Sequence, residues 1–259
     1  MSNANFLDPA IWPASATRSH SGEIVVGGVS VSELAKKYGT PLFVFDEADV
    51  RARARAYVAA FTVDDVATKV HYAGKAFITT RIAQWVHEEG MGIDVASVGE
   101  LEVALRAGID PNDIVMHGNN KSVSDLTRAV EVGVGRVVID SLIEIERLNE
   151  IAAKAGIVQQ VFVRLTVGVE AHTHEAISTA HEDQKFGLSI ASGMAMAAVD
   201  NILECDSLSL AGLHSHIGSQ IFDASGFEIA THRVIEFAVQ IRDRHDFTVS
   251  ELDVGGGMG

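Results

Sequence analysis

Apolar and polar positions along this chain follow two alternating periods. Short apolar runs rich in Val and Ile are separated by stretches in which apolar residues recur every three or four positions. That is the signature of buried strands followed by amphipathic helices. The pattern predicts strands at residues 69–72, 92–95, 114–117, 136–139, 160–165, 210–216 and 250–254, with helices between them. Ser97-x-x-Glu100, Ser141-x-x-Glu144 and Ser225-x-x-Glu228 match the capping box, in which two side chains satisfy amides at opposite ends of a first helical turn. Gly90, Gly108, Gly133 and Gly156 stand where the helices should stop. The first forty residues break the rhythm. They predict a hairpin over 23–31 around Gly27-Gly28 and a short helix over 32–38, capped by Ser32 and stopped by Gly39. After Pro41 come a strand at 42–45 and a helix over 47–61.

Strict strand-then-helix alternation implies a parallel sheet with right-handed crossovers, either an open doubly wound sheet or a (βα)8 barrel. The polar residues favour the barrel. His117 and Asp140 end strands, and Arg164, His214, His216 and Asp253 sit in or beside the C-terminal halves of others. An open sheet gathers its ligand groups at one switch point, whereas a barrel draws them from many strand ends.

Composition narrows the function. With 259 residues and 47% hydrophobic positions, the chain can bury a large core. A net charge of −15 argues against nucleic acid or an anionic membrane as the main partner, since both need a cationic surface. The lone Cys205 permits no intrachain disulfide, which fits a reducing cytoplasm. No signal peptide or membrane-length apolar run is evident. The run Arg51-Ala52-Arg53-Ala54-Arg55 reads as a solvated helix face.

Several residues could do chemistry. Lys75 follows the first strand amid small and apolar neighbours. Desolvation there would make its amine nucleophilic and suit it to a Schiff base; an ordinary surface lysine is the alternative. Gly255, Gly256 and Gly257 follow the seventh strand, where barrels often bind phosphate, though a simple turn would look the same. His214 and His216 share a face by strand alternation. One could stack on a flat ring, the pair could bind a metal with Asp253, or both could be hydrogen-bonded core residues. Ser219, just beyond, could donate to phosphate. Asp94 and Arg164 are charges in apolar strands, and a structural ion pair competes with ligand binding. His117-Gly118-Asn119-Asn120-Lys121 ends a strand with a polar cluster, a pocket rim or a plain turn. The histidines in 170–187 suggest a mobile active-site loop more than a metal site, since no strand pattern accompanies them.

In order, HYAGKAF, GIDVASVGEL, HGNNKS, VRLTVGVEAHTHE, HEDQKFG, GLHSHIGSQ and ELDVGGGMG resemble the diaminopimelate decarboxylase family, in the alanine-racemase-like class of pyridoxal-phosphate enzymes. The resemblance runs from about Trp12 to Gly259. It implies that Lys75 carries pyridoxal 5'-phosphate covalently and that His216 stacks on its ring. Ser219, Gly255, Gly256 and Gly257 would hold its phosphate, Asp94 and Arg164 would orient the cofactor's surroundings and Lys75, and His117 and Asn119 would line the substrate pocket. Residues 168–187 would form the loop over the site, and no metal is implied. Gly74 and Val167 stand where the family more often has Ser and Pro. The implied activity is decarboxylation of meso-2,6-diaminopimelate to L-lysine, the last step of lysine biosynthesis, by a cytoplasmic homodimer.

The resemblance further implies an α/β fold: an incomplete alanine-racemase-like TIM-type barrel of about seven strands in residues 46–259. Residues 1–45 would belong to a β-rich second domain that is otherwise absent. Family members continue past the triple glycine with an eighth strand, the acidic residue facing the pyridine nitrogen, and substrate-binding groups. The expectation is therefore an N-terminal portion, inactive alone. The alternatives are another decarboxylase or racemase of this fold, or a non-catalytic homologue that binds a full-length relative.

Overall fold

The computed structural model describes residues 6–169 and 185–258. The chain divides into two compact units, one of residues 1–72 and 80–92, the other of residues 73–79 and 93–259.

The first unit opens with a small antiparallel sheet of β1 (Thr17–Arg18), β2 (Ile24–Val26) and β3 (Val29–Ser30). Gly27 and Gly28 both take positive φ, 58° and 82°, which is what a two-residue hairpin turn demands. Helix α1 (Val31–Tyr38) starts two residues earlier than the pattern suggested in its cap. Ser30, rather than Ser32, accepts from the Glu33 amide, because Ser30 keeps the extended backbone that a cap requires. Residues 42–45 form no strand. Leu42, Phe43, Val44 and Phe45 are all exposed, so apolar content alone misled there. Helix α2 (Glu47–Phe61) is capped by Asp46. In α2, Arg51 reaches Glu47, Glu88 and Glu89, Arg55 reaches Glu89, and Arg53 reaches Asp49. The basic run is thus a salt-bridged helix face, and Ala54 between the arginines is buried. β4 (His71–Ala73) and α3 (Thr80–Glu88) follow, and the latter ends before Gly90 at φ 95°.

The second unit repeats strand and helix. Its elements are β5 (Gly92–Val95), α4 (Val98–Arg106), β6 (Ile114–Met116), α5 (Val123–Val132), β7 (Arg136–Ile139), α6 (Leu142–Ala155), β8 (Gln159–Thr166), β9 (Leu188–Ser189), α7 (Met194–Leu203), β10 (Leu208–Ser215), α8 (Ser225–His245) and β11 (Glu251–Asp253). Seven strands lie in the order β4-β5-β6-β7-β8-β10-β11, with β9 beside β8. The pairings β5-β6, β6-β7, β7-β8, β8-β9, β8-β10 and β10-β11 are all parallel, as in an incomplete barrel of the alanine-racemase-like type.

Alternation assigns the two faces of this sheet. Ile114, Met116, Val137, Ile139, Val161, Val163 and Leu213 are almost wholly buried, as expected of the helix-covered side. On the opposite face, Val115, Val138, Phe162 and Ala211 form one apolar cluster. Phe162 needs Gly212 across from it: a Cβ on Gly212 would lie 2.6 Å from the Phe162 ring. Two residues further along the strands, the same face turns polar with His117, Asp140, Arg164 and His214. The apolar layer is the floor on which the site stands, at the C-terminal end of the strands.

Candidate active site

Lys75 sits in a single 3-10 turn, Gly74–Ala76, directly after β4. The desolvated setting expected for it is not found: the residue is exposed. Gly74 has a packing reason that the sequence did not reveal. A Cβ there would lie 2.7 Å from the Asp94 carbonyl oxygen, so the turn can close against β5 only without a side chain.

Asp94 projects from β5. Its Oδ2 lies 3.5 Å from Nε2 of His117, while its Oδ1 is buried and accepts no hydrogen bond. His117 is fixed just past β6 by its amide, which donates to the Val95 carbonyl at 2.7 Å. Its ring meets that of His214 edge-on, with centroids 4.9 Å apart. His214 is 3% exposed, and its Nδ1 has no partner. Register sets His214 beside Arg164 on one flank and Asp253 on the other. Burial drives the His214 pKa well below the usual imidazole range, and the neighbouring groups His117, Arg164, His216 and Lys75 push the same way. His216, one residue past β10, is lowered to about 4 by burial, then by Lys75, Arg164 and His117, with Asp94 opposing. Both imidazoles are therefore neutral at pH 7.

The glycine loop packs on the turn after β10. The Gly255 amide donates to Asp253 Oδ1 at 2.8 Å, and the Gly256 amide to His216 Nδ1 at 3.4 Å. A Cβ on Gly255 would fall 2.3 Å from the Ser215 carbonyl, and one on Gly257 would fall 1.9 Å from that of Gly218. Gly256 differs from both, with nothing within 4 Å of where its Cβ would be. The open position between two closely packed glycines is a cradle that a side chain would fill. Ser219, partly exposed, lies on the facing turn.

Arg164 is 7% exposed and stands 3.6 Å from Asp140 Oδ2. Burial lowers its pKa, and Asp140 and Asp253 hold it up. Phe186 covers the guanidinium, with its ring centre 4.4 Å away. Residues 185–187 are tied down at three points: Asn119 Nδ2 donates to the Lys185 carbonyl (3.0 Å), Thr166 Oγ1 to the Phe186 carbonyl (2.8 Å), and the Gly187 amide to Asp140 Oδ1 (2.7 Å). Asn119, expected to line a pocket, is exposed and spends its amide on this anchor. The predicted loop histidines in 170–184 lie outside the described residues. Among the described residues, no cluster of three His, Cys, Asp or Glu could hold a metal ion.

Sequence reasoning missed the buried pair Lys121–Glu144. Lys121 Nζ has no exposed surface and lies 2.6 Å from Glu144 Oε1. It also donates to the carbonyls of Gly118 (2.6 Å) and Val138 (2.7 Å). Glu144 looked like half of a capping box, but Ser141 makes no cap bond. Glu144 instead turns inward, and its Oε2 accepts from the Asp140 amide. Burial raises its pKa, with Lys121 pulling the other way.

The site thus concentrates a lysine, two neutral imidazoles, a buried arginine, an aspartate with an unpartnered oxygen and an open glycine cradle. Buried polar atoms without hydrogen-bond partners are costly, and Asp94 Oδ1, His117 Nε2, Asp140 Oδ2, Glu144 Oε1 and His214 Nδ1 are such atoms; those of Asp94, His117 and His214 lie in the cluster just described and could meet a polar ligand. A flat, anionic ligand with polar ring substituents suits this set. Comparisons with known proteins agree. Residues 47–259 match the family described as "Pyridoxal-dependent decarboxylase, pyridoxal binding domain". The chain is 55% identical over 257 residues to the diaminopimelate decarboxylase of Mycobacterium tuberculosis, covering 98% of this chain and 57% of that protein. It is 40% identical to the Bacillus subtilis enzyme of the same name, over 93% of this chain and 55% of the relative. A crystal structure of diaminopimelate decarboxylase from M. jannaschii with L-lysine superposes with a TM-score of 0.87 at 31% identity, covering 95% of this chain and 57% of that one. The chain spans little more than half the length of these relatives.

Proposed function

Because the chain belongs to the pyridoxal-dependent decarboxylases through their pyridoxal-binding domain, we propose that the protein decarboxylates meso-2,6-diaminopimelate to L-lysine and carbon dioxide. The substrate assignment is supported by the 55% identity to the M. tuberculosis enzyme over almost the whole of this chain. The observation that carries the chemistry is the cluster of Asp94, His117 and His214 beside Arg164 at the C-terminal ends of parallel strands, with Lys75 in the turn after β4.

Pyridoxal phosphate, when bound, supplies the electron sink that takes up the pair left when carbon dioxide departs. The residues of this chain bind and orient. Lys75 would hold the cofactor through its amine and could carry a proton at Nζ. His216 offers a neutral ring for stacking, and its low pKa keeps that face uncharged at pH 7. Gly256 and Ser219 receive the phosphate, with Gly255 and Gly257 fixing the loop. Asp94 presents its free Oδ1 as an acceptor, and His117 beside it presents Nε2. Arg164 brings a buried positive charge to the cofactor's surroundings. Asn119 holds residue 185 through its amide nitrogen, at the rim of the pocket that it is proposed to line with His117.

The domain boundary is placed at residues 45/46, supported by the family match beginning at 47. A cytoplasmic homodimer is part of the same reading. Among the described residues, no helix is long and apolar enough to cross a membrane. The test is carbon dioxide release by a chain of the relatives' full length, supplied with pyridoxal phosphate and one of meso-diaminopimelate, ornithine or arginine. Release from the first alone supports the assignment, and turnover of ornithine or arginine instead overturns it.

A further inference from the structure

We propose that the buried Lys121–Glu144 pair is a positioning device, which through Asp140 sets the placement of Arg164 and of residues 185–187 beside the cofactor. The inference rests on the cofactor reading above. Its ground is a chain of contacts that ties together the C-terminal ends of three successive strands. Lys121 Nζ donates to the carbonyls of Gly118 and Val138 and lies in an ion pair 2.6 Å from Glu144 Oε1, without hydrogen-bond geometry to that oxygen. Gly118 follows His117 directly, and Val138 is in β7. The second oxygen of Glu144 takes the amide of Asp140. Asp140 in turn places one carboxylate oxygen on the Gly187 amide and the other 3.6 Å from Arg164. Two ion pairs, Lys121 with Glu144 and Asp140 with Arg164, linked through the Asp140 amide, thus run from the turn that carries His117 to the end of β8.

Stability does not explain such a pair. A buried ion pair can usually be replaced by apolar side chains of similar volume without loss of stability. What apolar side chains cannot do is hold two carbonyls and an amide from the ends of two neighbouring strands, β6 and β7, in a fixed relation. Each of these groups needs a partner in the absence of water, and the ammonium and carboxylate provide all of them.

The test is the double variant Lys121→Met/Glu144→Leu, examined for thermal stability, for pyridoxal phosphate affinity by absorbance titration, and for amide hydrogen exchange at Phe186 and Gly187. The expected result is a melting temperature near that of the unsubstituted protein, at least tenfold faster exchange at Gly187 and at least tenfold weaker cofactor binding. Unchanged exchange and affinity in a folded double variant overturn the proposal. If the double variant does not fold, Asp140→Ala carries the test. Faster exchange at Gly187 there supports the proposal, and unchanged exchange overturns it. Asp140→Asn retains an oxygen for the Gly187 amide and should recover most of the protection. The exchange measurement needs no cofactor. Failure of a chain of the relatives' full length to bind pyridoxal phosphate would refute the functional reading, and the exchange data would still decide the positioning role.

Discussion

Neighbouring glycines in the loop after β11 should respond oppositely to the same small substitution. In Gly257→Ala the new Cβ would lie 1.9 Å from the Gly218 carbonyl oxygen, where ordinary contact begins at 3.4 Å, so the two loops must part by about 1.5 Å. Both contacting atoms belong to backbone or lie one bond from it, so no rotamer change relieves the clash. The residue also sits at φ +99°, where an L side chain costs roughly 1–2 kcal/mol. Parting the loops further breaks the bond from the Ile221 amide to the Gly257 carbonyl, worth about 1 kcal/mol net. Together these give a loss of about 2–4 kcal/mol, or a fall in Tm on the order of 5–15 °C for a domain of this size. Gly256→Ala meets nothing within 4 Å and needs no left-handed backbone, so its stability should change by no more than ~0.5 kcal/mol. It does fill the open cradle, so pyridoxal phosphate should bind it at least tenfold more weakly. Differential scanning calorimetry with a cofactor titration reads both effects. Equal melting temperatures for the two variants would refute the packing argument. Unaltered cofactor affinity in Gly256→Ala would refute the cradle.

Three further outcomes follow from the same geometry. His216 has a folded-state pKa of about 4 against an ordinary 6.5, so the unfolded chain binds more protons between those values. Its contribution, up to about 3 kcal/mol, is fully present above pH 6.5 and is lost as the pH falls from 6.5 towards 4. Urea denaturation at pH 7.5 and pH 5 should show this fall, and it should shrink in His216→Phe; an identical pH dependence in the variant contradicts the assignment. Phe162→Ala empties the centre of the apolar floor and should cost roughly 3–5 kcal/mol in denaturant unfolding; a cost below ~1 kcal/mol would show that the floor is not packed around it. Ser122→Ala should cost about 1 kcal/mol, because Ser122 and Asp125 form a complete capping box, whereas Ser141→Ala should be neutral by the same measurement.

The strands were legible because seven short Val- and Ile-rich runs fall between helix signals, and the structure places each within about two residues of its expected bounds. Glycine stops were equally plain: Gly133 and Gly156 take left-handed conformations at the ends of α5 and α6. Caps were less legible, since the same Ser-x-x-Glu spacing serves unlike ends. Ser97 accepts from the Glu100 amide, whereas Glu100 turns back to the Ala96 amide, one residue beyond a capping box. Glu144 goes into the core, and Ser225 lies inside a helix whose cap is Ala224. Spacing fixes which residues can meet within a turn, but only the tertiary fold decides whether a buried lysine from another unit of the repeat competes for the carboxylate. The same limit applies to residues 42–45, where apolar side chains made a strand plausible but the segment is irregular and exposed. At the site, the convergence of Asp94, Arg164, His214 and His216 followed from placing each at a strand end. The exposure of Lys75 and the use of Asn119 on residue 185 did not, because both depend on how loops fold back over the sheet.

The central claim is that Lys75 is the residue that holds pyridoxal phosphate. Incubation with the cofactor, trapping of the covalent link with borohydride and peptide mass mapping test it directly. The account predicts one stoichiometric pyridoxyl label on Lys75 and none in Lys75→Ala. A label on Lys121 or Lys185 instead, or no label on Lys75 in the unsubstituted protein, would contradict it.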